Sequence, residues 1–261
     1  MAKYDSIGKF YDYTRKADSR ITEMIYKNLD LNSKDSTIVD IGAGTGNYSV
    51  EFAKRGLKVI GIEPSEVMIK QGKKHSNLKW IQGKAEKLPI ADNSVDGVIS
   101  MLAIHHFGDL KKSLNEMMRV VKDGGSIVIL FADPRLCPDD FWLSDYFARI
   151  FNKAEEAYLS IEELEKEFKE GLKENIEIKE FLIPYDIEDY FFVAGWRRPE
   201  LYLDEMFRAG VSEEILNPIL ERLEKDLKSG LWEKRYGKIL DLDKYDGGYR
   251  VLIAKNLRAI M

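Results

Sequence analysis

The chain of 261 residues contains one cysteine, Cys137. A lone thiol closes no internal disulfide and builds no thiolate metal cluster, so an apolar core must hold the fold, and a reducing compartment suits it. No metal is expected. No run approaches the roughly 18 apolar residues that a membrane span requires. The opening stretch MAKYDSIGKFYDYTRKAD is charged and aromatic, unlike the basic-then-apolar pattern of a secretion signal. These absences predict a cytoplasmic protein with no membrane span. A basic surface is missing too: 40 Lys and Arg face 45 Asp and Glu, a net charge of -5. Without a dominant Lys/Arg block, a nucleic-acid partner is not expected.

What is present is ordinary for a globular protein, 44% hydrophobic and 33% charged. The length allows one large core with a smaller inserted unit. Short apolar strands alternate with helices through the first half, the pattern of a parallel sheet covered on both faces. Strands are predicted over 37–41, 58–63, 78–82, 95–100 and 126–131. Helices are predicted over 48–55, 66–74 and 110–121, the last stopped by Lys122-Asp123-Gly124-Gly125. Right-handed crossovers then give a doubly wound α/β sheet. Residues 7–31 carry Ile21, Met24, Ile25 and Leu29 at helical spacing, and are expected to cap the carboxyl edge of the sheet.

Beyond 131 the alternation stops. Helices are expected over 141–152 and from Ser160, where Glu163 completes a capping box, to about 171. A sixth strand follows at 176–183, then helices starting at Asp186, Pro199 and Asn217-Pro218, and a last strand at 248–254. The expected layout is a helical cap over 1–35, a sheet core over 36–135, a mostly helical insertion over 136–247 that lends the strand at about 176–183, and a final core strand within 248–261.

The strongest chemical signal is DIGAGTG at 40–46, between a strand and a helix. Glycines there let the backbone turn sharply and lie close to a ligand. About twenty residues on, at the end of the second strand, stands Glu63, where nucleotide-binding sheets place an acid for the ribose hydroxyls. A dinucleotide fingerprint spaces its glycines G-x-G-x-x-G, with a helix N-terminus facing the pyrophosphate. Here they run G-x-G-x-G after an acid, and Asn47 takes the third glycine's place. The spacing favours a ligand with an adenosine and no phosphates, and disfavours a nicotinamide oxidoreductase.

Five ordered motifs, DIGAGTG, GIEPSEVMI (61–69), GKAEKLPIADNSVDGVIS (83–100), MLAIHHF (101–107) and RVVKDGGSIVI (119–129), closely resemble class I S-adenosylmethionine-dependent methyltransferases. The likeness is strongest to the bacterial group (methyltransferase type 11) that includes ubiquinone and menaquinone biosynthesis methylases. It implies a Rossmann-like sheet of seven strands, mostly parallel with the last antiparallel, and S-adenosyl-L-methionine as cofactor, with S-adenosyl-L-homocysteine as product. Carried over, it puts Gly42, Ala43, Gly44 and Gly46 beneath the methionyl part, with Asp40 steadying the loop and the ammonium. Glu63 takes the ribose hydroxyls. Ser65 and Met68 line the adenine, Pro64 and Met101 also bind the cofactor, and Ala85 with Glu86 lie beside the adenine amino edge. Where related chains carry Asp before that alanine, this one has Lys84. Tyr11 and Arg15 match a Tyr and an Arg that related enzymes hold over the cofactor.

His105 and His106 follow the fourth strand, at the edge where open parallel sheets bind ligands. They are the candidate catalytic residues, with structural roles as the alternative. In the insertion, Trp196, Arg197 and Arg198 could receive an anionic or aromatic substrate, because Arg both stacks and forks. Cys137-Pro138 lacks the companion motifs of RNA cytosine methylation and reads as incidental. The expected function is methyl transfer to a small-molecule acceptor by in-line displacement. The alternative is a cofactor-binding regulatory or scaffold protein of the same fold without turnover.

Overall fold

The computed structural model describes residues 14–138, 140–172, 176–208 and 213–256. Tyr11 lies outside them. Five strands alternate with helices: β1 (Thr37–Ile41), β2 (Lys58–Glu63), β3 (Leu78–Gln82), β4 (Val95–Met101) and β5 (Val121–Ala132). β6 (Ile176–Glu180) and β7 (Tyr249–Lys255) complete a seven-stranded sheet in the order β3-β2-β1-β4-β5-β7-β6. β7 runs antiparallel to both neighbours, β5 and β6, and the remaining pairs are parallel. This is the doubly wound arrangement expected.

Side chains alternate between the two faces of the sheet, as strand geometry dictates. Ile38, Val128, Leu130, Val251 and Ile253 pack on one face, and Val39, Ile41, Ile127, Ile129 and Leu252 on the other. The first face is covered by α1 (Ser19–Leu29), α2 (Asn47–Lys54) and the aromatic residues of the insertion. Leu114 and Met117 of α4 (Leu110–Val120) and Leu164 and Phe168 of α7 (Ile161–Leu172) cover the second. Between α2 and α4 the short α3 (Glu66–Gln71) follows β2, and it ends three residues before the predicted limit at 74.

The expected carboxyl-edge cap is corrected. Asp18 caps α1 by accepting from the Arg20 N–H at 2.9 Å. From there the helix runs down the sheet face against β4 and β5. A Cβ at Gly97, near the start of β4, would lie 2.7 Å from Leu29, so the helix closes on the amino end of the sheet. Arg15 and Lys16, ahead of α1, lie at the carboxyl edge beside the loop after β1. Apolar spacing reports that a helix has a buried face, not which surface receives it.

The insertion departs from prediction in five further places. The helix over 141–152 is two helices, α5 (Trp142–Tyr146) and α6 (Ala148–Ala157), broken at Phe147. The strand over 176–183 ends at Glu180, and Ile183–Pro184 pairs instead with Lys244–Tyr245 in a separate two-stranded ladder. Asn217 and Pro218 lie inside α8 (Glu213–Lys228) rather than starting it, and Asp186 starts no helix. Pro199 opens only a 3-10 turn, Pro199–Leu203. After α8 come α9 (Leu231–Tyr236) and the turn into β7. The capping box holds: Ser160 Oγ accepts from the Glu163 N–H at 3.1 Å, and Glu163 accepts from the Ser160 N–H at 2.8 Å.

Candidate cofactor and acceptor site

The glycine loop leaves the carboxyl end of β1 and runs into α2. Gly42, Gly44 and Gly46 all have positive φ, at 74°, 59° and 78°. At Gly42 a Cβ would lie 2.5 Å from that of Ala103, so the loop packs directly on the segment after β4. At Gly46 a Cβ would meet the Trp80 ring at 2.6 Å. Two backbone N–H groups, of Gly42 and Ala43, donate to the Ile62 carbonyl at 2.9 and 3.1 Å, tying the loop to the end of β2.

Glu63 fastens the loop from below. One carboxylate oxygen accepts from the Gly44 N–H at 2.9 Å and the other from the Ser65 N–H at 3.0 Å. Burial raises its pKa, and the two N–H donors oppose the shift. Ser65 caps α3 by accepting from the Met68 N–H. Met68 and Ala85 are buried. Pro64 offers its carbonyl to Gln82.

Asp40 is 1% exposed, and Oδ2 accepts from the Ser49 hydroxyl at 2.5 Å. Oδ1 is buried with no hydrogen-bond partner. Burial pushes this carboxyl up to about 7, the Glu63 charge adds to the shift, and the Ser49 hydroxyl opposes it. A buried acceptor without a donor costs stability unless something meets it. A ligand ammonium is such a donor, so the loop fits the cofactor's amino-acid end.

Asp40 shares a cleft with Arg15, Lys16, Gly42, Ala43, Asn47, Tyr48, Met101 and Asp189. Thus Arg15, Asp40, Gly42, Ala43 and Met101, predicted separately, come together. Asn47, Tyr48 and Asp189 were missed. The first two follow the glycines directly, whereas Asp189 comes from the insertion and no motif marks it. Arg15 forks onto Asp189 through Nε at 2.5 Å and Nη2 at 3.2 Å.

Glu86 Oε1 accepts from the N–H groups of Gly108 at 2.5 Å and Asp109 at 3.3 Å, bracing the loop after β4. That loop makes the 3-10 turn Ile104–His106. His105 stacks on Tyr158 of the insertion, ring centres 4.2 Å apart, whereas His106 is exposed. Tyr158 is held neutral by burial, which raises its pKa.

Trp196, Arg197 and Arg198 do not line this cleft. Trp196 is fully buried and stacks on Tyr245. Arg197 lies over Tyr185 and donates to the Leu242 carbonyl, and Arg198 lies over Tyr190. They hold the insertion together. Burial pushes the Cys137 thiol up to about 12, which disfavours the reactive thiolate. Asp133 accepts from Arg135 and from the Ile161 N–H at the start of α7. No group of three or more potential metal ligands occurs among the described residues, nor any helix long and apolar enough to cross a membrane.

A family described as a methyltransferase domain matches residues 39–129. The chain is 32% identical over 154 residues to a demethylmenaquinone methyltransferase of Renibacterium salmoninarum, covering 57% of this chain and 65% of that enzyme, just under two thirds of its length. A solved putative methyltransferase from an antibiotic biosynthesis pathway of Anabaena variabilis is 44% identical, with a TM-score of 0.88 over 93% of this chain and 99% of that one. Haemonchus contortus phosphoethanolamine N-methyltransferase 2, solved with S-adenosyl-L-methionine, is 18% identical, with a TM-score of 0.64 over 98% of this chain and 58% of that one, and shares the fold.

Proposed function

The chain belongs to the class I S-adenosylmethionine-dependent methyltransferases, and from that premise we propose that it methylates a small molecule held between the loop after β4 and the helical insertion. When bound, S-adenosylmethionine supplies a methyl group already activated by its sulfonium. The protein's own task is therefore to place a nucleophile in line with that methyl, a proximity effect of several kcal/mol. Asp40 and Arg15 would hold the amino-acid end, Glu63 the ribose, and Ser65, Met68 and Ala85 would border the adenosine. His105, walled by Tyr158, would border the acceptor and take its proton if it arrives protonated. His106, pointing outward, has the lesser claim.

The observation that carries the cofactor assignment is the unpartnered oxygen of Asp40 beside a glycine loop pinned by Glu63. Calorimetric titration with S-adenosylmethionine, S-adenosylhomocysteine and NADH tests it. The sulfur ligands alone should bind, and Glu63→Ala should weaken both. Binding of NADH alone would overturn the reading. The small-molecule acceptor is supported by the acidic chain and by the curated relatives, which are named for methylation of demethylmenaquinone. His105→Ala should lower kcat for the acceptor at least tenfold while cofactor affinity stays within about twofold.

A further inference from the structure

Asp189 joins three segments that are remote in sequence. It is 1% exposed, and its Oδ1 accepts from Arg15 Nε at 2.5 Å. Its Oδ2 accepts from Arg15 Nη2 at 3.2 Å and from the Tyr48 hydroxyl at 2.9 Å. The backbone around Arg15 is held as closely. Asn47 donates to the Arg15 carbonyl at 2.6 Å, and the Tyr190 N–H donates to the Thr14 carbonyl at 3.0 Å. One turn further on, the Glu188 N–H donates to Asp18 at 3.0 Å, and Arg20 pairs with Asp186.

The cleft therefore sets a fixed guanidinium beside a buried carboxylate oxygen that lacks a donor. This is the complement of an amino-acid zwitterion, an ammonium for Asp40 and a carboxylate for Arg15. An unrestrained arginine gives up much rotamer freedom on binding, and a forked partner removes that cost beforehand. We infer that Asp189 is a positioning residue for cofactor binding: with Tyr48, it holds Arg15 toward the methionyl carboxylate, so the insertion takes part in cofactor recognition through the arginine it fixes. The inference rests on the cofactor assignment above.

Two ligands separate positioning from general structural support. S-adenosylhomocysteine carries the amino-acid end, and 5′-methylthioadenosine has the same adenosine thioether without it. Both are titrated calorimetrically into the full chain and into its Asp189→Asn, Tyr48→Phe, Arg15→Ala and Arg15→Ala/Asp189→Asn variants. Asp189→Asn and Arg15→Ala should each weaken S-adenosylhomocysteine about tenfold or more and change 5′-methylthioadenosine less than about twofold. Tyr48→Phe should show the same selectivity with a smaller loss, and the double variant should bind no worse than Arg15→Ala. Equal weakening of both ligands by Asp189→Asn would reduce Asp189 to a structural role. Unchanged or tighter S-adenosylhomocysteine binding would also overturn the inference, because removing the counter-charge would then matter more than losing the orientation. A wild-type chain that binds neither ligand would sink the cofactor assignment, and this inference with it.

Discussion

Gly248, at the start of β7, has φ 79°, and a Cβ there would lie 2.3 Å from the Asp133 carbonyl oxygen. Its own carbonyl accepts from the Asp133 N–H at 2.9 Å, so neither strand can retreat. Gly248→Ala should cost about 3 kcal/mol, read as a lower urea midpoint. Asp40 makes a second prediction at this scale. Burial holds its carboxyl at about 7, above the 3.8 of a free aspartate, so the folded chain binds the proton more tightly. Its contribution is fully present below the lower value and is lost as pH rises through the upper one. Without cofactor, stability should fall across that window, and Asp40→Asn should flatten the fall. Cofactor binding needs the ionised form, so affinity should rise with pH up to about 7, and titration near pH 6 in buffers of different ionisation enthalpy should show proton release. The glycines were legible in the sequence because a sharp loop at positive φ calls for glycine, and Asp40 through the resemblance of its motif to known methyltransferases. Asp189 was not, because its role depends on a contact 174 positions away in the sequence.

Among the elements, those of the first half lie close to their predicted places, except that α3 ends three residues early and β5 starts at Val121, directly after α4, so that the predicted stop at 122–125 lies within the strand. The insertion was harder. Its apolar residues pack in one aromatic cluster around Trp142, Trp196, Tyr202 and Trp232, and such a cluster imposes no helical period. Asn217-Pro218 has the look of a helix start, yet Leu216 and Leu223 of α8 are buried, and their packing keeps the helix whole across the proline. The capping box at Ser160 is purely local and was read correctly. Ser160→Ala should cost about 1 kcal/mol, a shift in thermal midpoint that leaves S-adenosylhomocysteine affinity unchanged.

For the molecule as a whole, the residues leading into α1 and the stretch 186–190 form one zipped seam over the cofactor cleft. Hydrogen exchange with and without S-adenosylhomocysteine should show both sides of the seam gaining protection together, at N–H groups such as those of Glu188 and Tyr190. Protection confined to the glycine loop would separate the insertion from the cofactor. The sequence announced a helical unit attached to a nucleotide-type sheet, but not the seam, which is made of charged residues that taken singly resemble ordinary surface.

The strand order has a consequence for how the chain is made. β6 pairs only with β7, and β7 occupies the place beside β5. During translation β1 to β5 can assemble as they emerge, but β5 keeps a bare edge while the whole insertion is synthesised, on the order of ten seconds at ordinary elongation rates. β6 emerges into the same wait with nothing to pair with. A nascent chain arrested before residue 249 should be cut by protease within 176–180, whereas one released past 255 should not. Slow codons ahead of β7 would lengthen the time in which two open strand edges can find another polypeptide instead of each other.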